Sequence, residues 1–148
     1  MLDESPRSLP DDWVVPEVTP ENRAFFTTGE LRLQRCAGCG SVQHPPLDLC
    51  IACGGFALDH VAVSPEGTVE SYTVVHHPLH PTLADAVPYN VVVVSLADHP
   101  HVRIVGNVID APPDRVRIGA RVRATWAVVA ATEGHEELRL PQWRLVEP

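Results

Sequence analysis

Between residues 121 and 129 apolar and polar side chains alternate. Val122, Ala124, Trp126 and Val128 fall on one side, and Arg121, Arg123 and Thr125 on the other. A period of two predicts a strand with one buried face. Further strands are predicted at about Gly67–His76, Val102–Ile109 and Leu138–Val146, the last interrupted by Pro141 and so placed at an edge or bulge. Tyr89–Ala97 contains the unbroken run Val91-Val92-Val93-Val94, which predicts a strand buried on both faces. Another alternating strand, Glu30–Arg35, runs into the first cysteine. The expected class is all-β. Five strands over about 80 residues suit a small five-stranded barrel of the OB-fold kind, with a small β-sandwich as the alternative.

One short helix is expected, over Glu21–Thr28. Thr19 is placed to cap it, Pro20 suits its first position, and Gly29 suits its end. A helix so short is marginal alone, so Phe25 and Phe26 are expected to anchor it on a core. Residues 1–18 read as an acidic leader in which Pro6, Pro10 and Pro16 oppose regular structure and Trp13 is an anchor onto the same domain. The expected organisation is leader 1–18, helix and cysteine region 19–60, and barrel 61–148.

Charge narrows the function classes. The 148 residues carry a formal net charge of −8. The first 21 hold six acids and one arginine, so more than half of the excess sits at this end of the chain. All basic residues are arginine, and the only dense group is Arg115, Arg117, Arg121 and Arg123. Single-stranded nucleic-acid binding needs a basic groove with stacking aromatics, and aromatics are only 5% here. No nucleic-acid partner is expected, and a single-stranded nucleic-acid-binding OB-fold and zinc-ribbon module stands as the alternative reading. No apolar run approaches the roughly 20 residues of a membrane span, and the acidic N-terminus lacks a secretory signal's basic start. The expected location is the cytoplasm, without a membrane partner.

The chemistry concentrates in Cys36-Ala-Gly-Cys39 and Cys50-Ile-Ala-Cys53. Two residues between thiolates let a tight turn aim both sulfurs at one point, and two such turns make a tetrahedral site. Gly40 and Gly54 follow the pairs, where a left-handed backbone is needed. Structural Zn²⁺ held by Cys36, Cys39, Cys50 and Cys53 is the leading expectation, and rubredoxin-type iron uses the same ligands. Disulfides do not persist in a reducing compartment. His76, His77 and His80 cluster before a proline-rich loop that ends at Tyr89, without a neighbouring acid, and read as a solvated loop or as a second metal or general-base site. His99 and His101 flank a turn and are expected to be solvated. Arg121 and Arg123 read as a solvated strand face or as a contact for phosphate or an acidic surface. Ser41, Ser64, Ser71 and Ser95 lack a nucleophile context, so no catalytic residue is assigned.

The order of these features resembles the acyl-CoA-associated zinc-ribbon/OB-fold family. It runs from a helix through Leu31–Gly40, His44-Pro45-Pro46, Cys50–Gly54, Gly67–Val75 and Pro88-Tyr89 to Ile118-Gly119, covering about residues 19–146. The pre-strand glycine pair usual in that family keeps only Gly67. The resemblance implies a rubredoxin-like zinc ribbon joined to an OB-fold. It implies a non-catalytic companion of a thiolase-fold aldolase or thiolase, or of an enoyl-CoA hydratase domain or subunit, with acyl-CoA met through the complex. Val18–Phe26 resembles the branch partnering a retro-aldolase of steroid side-chain degradation, and on that resemblance the leader is a remnant of a linker to a hydratase domain. The loop His76–Tyr89 is the position where the resemblance suggests a face toward the partner's acyl-CoA site.

Overall fold

A computed structural model describes residues 14–147. Trp13 and the rest of residues 1–13 lie outside them, as does Pro148. The described chain runs α1 (Arg23–Thr27), β1 (Arg32–Cys36), β2 (Val42–Gln43), β3 (Leu58–Ala62), β4 (Glu66–Val75), β5 (Tyr89–Leu96), β6 (Arg103–Gly106), β7 (Arg121–Val129) and β8 (Leu138–Leu145). Short 3-10 turns occupy Pro81–Leu83 and Pro113–Arg115.

Two antiparallel sheets result. The first has the order β2-β1-β3, the second β6-β5-β4-β7-β8. The second sheet curls on itself because its ten-residue central strand pairs with two neighbours at different heights. Nearly all of β4 pairs with β5, across a register shift between Val69 and Ser71, whereas only Glu66–Thr68 pairs with β7. A shift of this kind bends a strand and increases its twist. Gly67 sits at the tightest point: a Cβ there would lie 2.4 Å from Val94 Cγ1 and 2.8 Å from the Ser95 carbonyl oxygen. The far edges meet where Val108 forms a parallel bridge to Trp143. Trp143 N–H donates to the Asn107 carbonyl (2.9 Å) and Ile109 N–H to the Trp143 carbonyl (3.0 Å). The outcome is a nearly closed five-stranded barrel, as expected, and not a sandwich.

Several expectations need correction. The helix is one short turn, Arg23–Thr27, with Asn22 and not Thr19 at its N-cap position. Thr19 instead closes the preceding turn, its carbonyl accepting from Arg23 N–H (3.0 Å) and its N–H donating to Asn22 Oδ1 (2.8 Å). Phe25 is nonetheless buried, as anticipated. The valine run is not buried on both faces. Val92 and Val94 are fully buried, while Val91 and Val93 are half-covered. In β7 the alternation slips after Ala124, so that Ala127 is buried and Trp126 only partly so. The strand expected over Val102–Ile109 ends at Gly106. β3 had no signature of its own. Its alternation is interrupted by Asp59 and His60, and it exists because β1 offers an open edge, pairing Arg32–Cys36 with Leu58–Ala62.

The barrel interior and the small sheet share one core. Val69, Val92, Val94, Ile104, Val122 and Trp143 from the barrel join Phe25 of the helix, Leu31 just before β1, and Leu33 and Val42 of the small sheet in one cluster. Each such side chain withdrawn from water contributes roughly 1.5–3 kcal/mol before entropy is counted. His101, expected to be solvated, adds a polar tie, its Nε2 lying 2.8 Å from the Val42 carbonyl oxygen, 59 residues away in sequence. The cysteine-bearing sheet is thus fixed on the barrel by packing and by hydrogen bonding.

Candidate metal centre

Two nearly identical turns present the cysteines. Cys36 ends β1, and its carbonyl accepts from Gly40 N–H at 2.8 Å. The Cys50 carbonyl accepts from Gly54 N–H at the same distance. Gly40 (φ 76°) and Gly54 (φ 74°) adopt the left-handed backbone that turns each knuckle back, a conformation costly for a residue with a Cβ. The second knuckle is tied off where Cys50 N–H donates to the Gly55 carbonyl (2.8 Å), and the first where Ala37 N–H donates to the Ala57 carbonyl (2.7 Å).

The four sulfurs converge. All lie within 4.8 Å of one another, with Cys36 and Cys53 Sγ 3.6 Å apart and Cys39 and Cys50 Sγ 3.7 Å apart. A disulfide needs about 2.05 Å. Thiolates at the corners of a tetrahedron around a metal with about 2.3 Å bonds stand roughly 3.8 Å apart. The spacing therefore fits a tetrathiolate metal centre. Cys36 and Cys50 are buried, Cys39 and Cys53 exposed.

The electrostatics agree. The N–H of Cys53, with help from that of Ala52, pulls the Cys50 thiol down to about 7. Gly55 N–H acts in the same direction on Cys53, yet the three neighbouring sulfurs push that thiol up to about 11. Four sulfurs this close do not all ionise without a cation among them. Among the described residues these cysteines are the one group of three or more His, Cys, Asp or Glu side chains arranged to hold a metal ion.

The remaining sequence candidates fall in two separate places. His76 and His77 follow β4 and are exposed, and Tyr89 opens β5 opposite Val75, so the three share one end of the barrel. His80 caps the following 3-10 turn, its Nδ1 accepting from Thr82 N–H (3.2 Å). Arg121 and Arg123 are exposed, as expected, and pair with Thr68 and Glu66 at the opposite end of β4. Seven residues of strand, about 20 Å, separate the two groups, so they do not make a single site. Arg123 forms an ion pair with Glu66.

Two features of the centre were not anticipated from the sequence. Gln34 and Gln43 are each only 3% exposed and lie beside the cysteine loops. A polar residue at an inward-facing position of β1 was the available signal. His44 stacks on Phe25 with ring centroids 4.7 Å apart, and burial pulls its imidazole down to about 4. Both rings border a groove of about 640 Å³ between α1, the His44–Pro46 turn, β6 and β8.

Known proteins match this arrangement. Residues 25–59 match the ChsH2 rubredoxin-like zinc ribbon domain, and residues 60–127 the ChsH2 C-terminal OB-fold domain. The solved structure of an Ltp2-ChsH2(DUF35) aldolase contains a chain that superposes with a TM-score of 0.72 at 36% identity, covering 88% of this chain and 98% of that one. A probable enoyl-CoA hydratase alpha subunit of Thermomonospora curvata is 37% identical over 136 residues, covering 90% of this chain. The 3-oxo-4,17-pregnadiene-20-carboxyl-CoA hydratase alpha subunit of Mycobacterium tuberculosis is 37% identical over 130 residues, covering 82%. The chain spans 40% of the length of each of these two curated relatives. With ribbon, barrel and cysteine knuckles all in place, the chain belongs to the ChsH2 family of rubredoxin-like zinc ribbon and OB-fold proteins.

Proposed function

We propose that this chain is a non-catalytic accessory subunit that binds and supports a thiolase-fold acyl-CoA aldolase, acting in retro-aldol cleavage of a steroid side-chain hydroxyacyl-CoA. The observation that carries this is the likeness, over nearly the whole of the other chain, to a component of the Ltp2-ChsH2(DUF35) aldolase. The catalytic residues then belong to the partner. Cys36, Cys39, Cys50 and Cys53 hold one Zn²⁺. Four thiolates fill its coordination sphere and leave no open position, so the ion supports structure and not chemistry. The helix and ribbon span residues 19–60 and the barrel 61–148, and the complex works in the cytoplasm.

The two ends of the barrel then have distinct uses. The loop from His76 to Tyr89 faces the partner's acyl-CoA site. Arg121 and Arg123 contact phosphate or an acidic surface.

Co-expression with the thiolase-fold protein of the same organism tests this. The expected result is a stable hetero-oligomer on gel filtration that cleaves a hydroxyacyl-CoA, with neither component active alone. A chain that elutes alone beside that protein and leaves its activity unchanged overturns the proposal. A second reading, companionship with a hydratase, is favoured by the two longer hydratase alpha subunits. It predicts that the complex hydrates an enoyl-CoA when a hydratase subunit is supplied.

A further inference from the structure

The loop that carries the second cysteine pair is held by two buried side-chain amides. Gln34 lies directly opposite Gln43 in the β1–β2 pairing, so both project from the same face of the small sheet. On β1 this is also the face of Cys36, two residues along. Gln43 Nε2 donates to Gln34 Oε1 at 2.6 Å, which orients the two amides relative to each other.

Together they treat residues 47–51 as a strand would. Gln34 Oε1 accepts from Leu47 N–H (2.9 Å) while its Nε2 donates to the Leu47 carbonyl (2.8 Å). Gln43 Nε2 donates to the Leu49 carbonyl (3.0 Å) and its Oε1 accepts from Ile51 N–H (3.0 Å). Leu47, Leu49 and Ile51 alternate along the chain, and Cys50 stands between the last two. Backbone groups that a strand partner would otherwise satisfy are met by side chains that belong to the sheet bearing Cys36.

We infer that Gln34 and Gln43 are positioning residues for the metal centre, presetting the Cys50–Cys53 knuckle against the Cys36–Cys39 knuckle. This rests on the reading of the four cysteines as ligands of one Zn²⁺. Neither glutamine is one of the four candidate ligands. They act through the backbone on either side of Cys50, and partners of this kind tune metal affinity by roughly 10–100-fold. An apolar residue of similar length leaves a loop N–H or carbonyl unpaired beside the ligand.

The test uses the full zinc-loaded chain and its Gln43→Met, Gln34→Met and double variants. Zinc release to a chromophoric chelator is expected to be roughly 10–100-fold faster in each variant. Thiol labelling followed by mass mapping is expected to mark Cys50 and Cys53 ahead of Cys36 and Cys39 in the variants. Purely structural weakening would expose all four together. Tryptophan near-ultraviolet dichroism checks that the barrel is intact. Wild-type release rates in the variants, or simultaneous labelling of all four thiols, overturn the inference while leaving the zinc reading in place. A wild-type chain that takes up no zinc overturns both. Should the variants fail to fold, amide exchange in the loaded wild-type chain decides. Slow exchange at Leu47 and Ile51 supports the clamp, and fast exchange at those two N–H groups overturns it.

Discussion

The Asn90 side chain bonds both backbone polar groups of Val108. The Asn90 side chain donates from Nδ2 to the Val108 carbonyl at 2.8 Å and accepts at Oδ1 from Val108 N–H at 2.7 Å. Asn90 is 3% exposed and Val108 carries the bridge to Trp143, so this pair sits at the seam where the barrel closes. A buried donor and acceptor left without partners cost about 1–3 kcal/mol each. Asn90→Leu keeps the volume and removes both bonds. Unfolding in urea, followed by tryptophan fluorescence, is expected to show a loss of about 2–4 kcal/mol. A loss below about 0.5 kcal/mol would mean the seam closes without Asn90.

Metal analysis of the purified chain is expected to give about one zinc per chain. Cys50→Ser should lose that stoichiometry, and chelation of the wild type should lower its melting temperature, because structural zinc binding is coupled to folding. The barrel core, centred on Trp143, is expected to survive in both cases. A second equivalent of zinc would redirect attention to His76, His77 and His80.

Gly67→Ala is expected to be more damaging than Gly106→Ala. At Gly67 an added Cβ meets the Ser95 backbone oxygen at 2.8 Å as well as Val94 Cγ1. At Gly106 the nearest atoms are Trp143 Cδ1 and Nε1, both at 3.0 Å and part of a side chain. Overpacking of this sort costs about 1–3 kcal/mol, with the higher end where backbone must move. Equal melting temperatures for the two variants would refute this account of the β4–β5 approach.

His44 makes stability depend on acid. Its ordinary value of 6.5 holds in the unfolded chain, while burial brings the folded value down to about 4. Between these values the unfolded chain binds the extra proton, so stability is full above about pH 6.5 and falls as pH drops toward 4. The whole difference amounts to about 3 kcal/mol. His44→Leu should flatten that segment of the stability curve relative to wild type. Because proton competition at the cysteines is common to both proteins, the difference between the curves isolates His44. Parallel curves would count against the linkage.

Much of this molecule is legible in its sequence. The spacing of four cysteines and the glycines after them specified two knuckles, since only a tight turn closed by a left-handed residue brings paired sulfurs together. Strand patterns along the chain located β4, β5, β7 and β8 closely, and Phe25 was correctly placed in the core. Local rules failed where the outcome depended on other contacts. β3 forms on the free edge of β1, and His101 finds Val42 across 59 residues. Asn22 and not Thr19 stands at the N-cap position, and the Thr19 backbone closes the preceding turn.

The contrast has a physical basis. Periodicity and turn chemistry are properties of neighbours along the chain, so the sequence by itself determined the all-β class, the cysteine knuckles and the order ribbon then barrel. Which edge a strand joins, which polar side chain is buried, and where the sheet closes depend on groups brought together only by folding. Gln34 and Gln43 are ordinary polar positions along the chain, and they acquire a role only where β1 pairs with β2 and residues 47–51 lie across them. The histidine loop and the arginine pair likewise read as one set of surface candidates. Only the length of β4, lying between them, put them at opposite ends of the barrel.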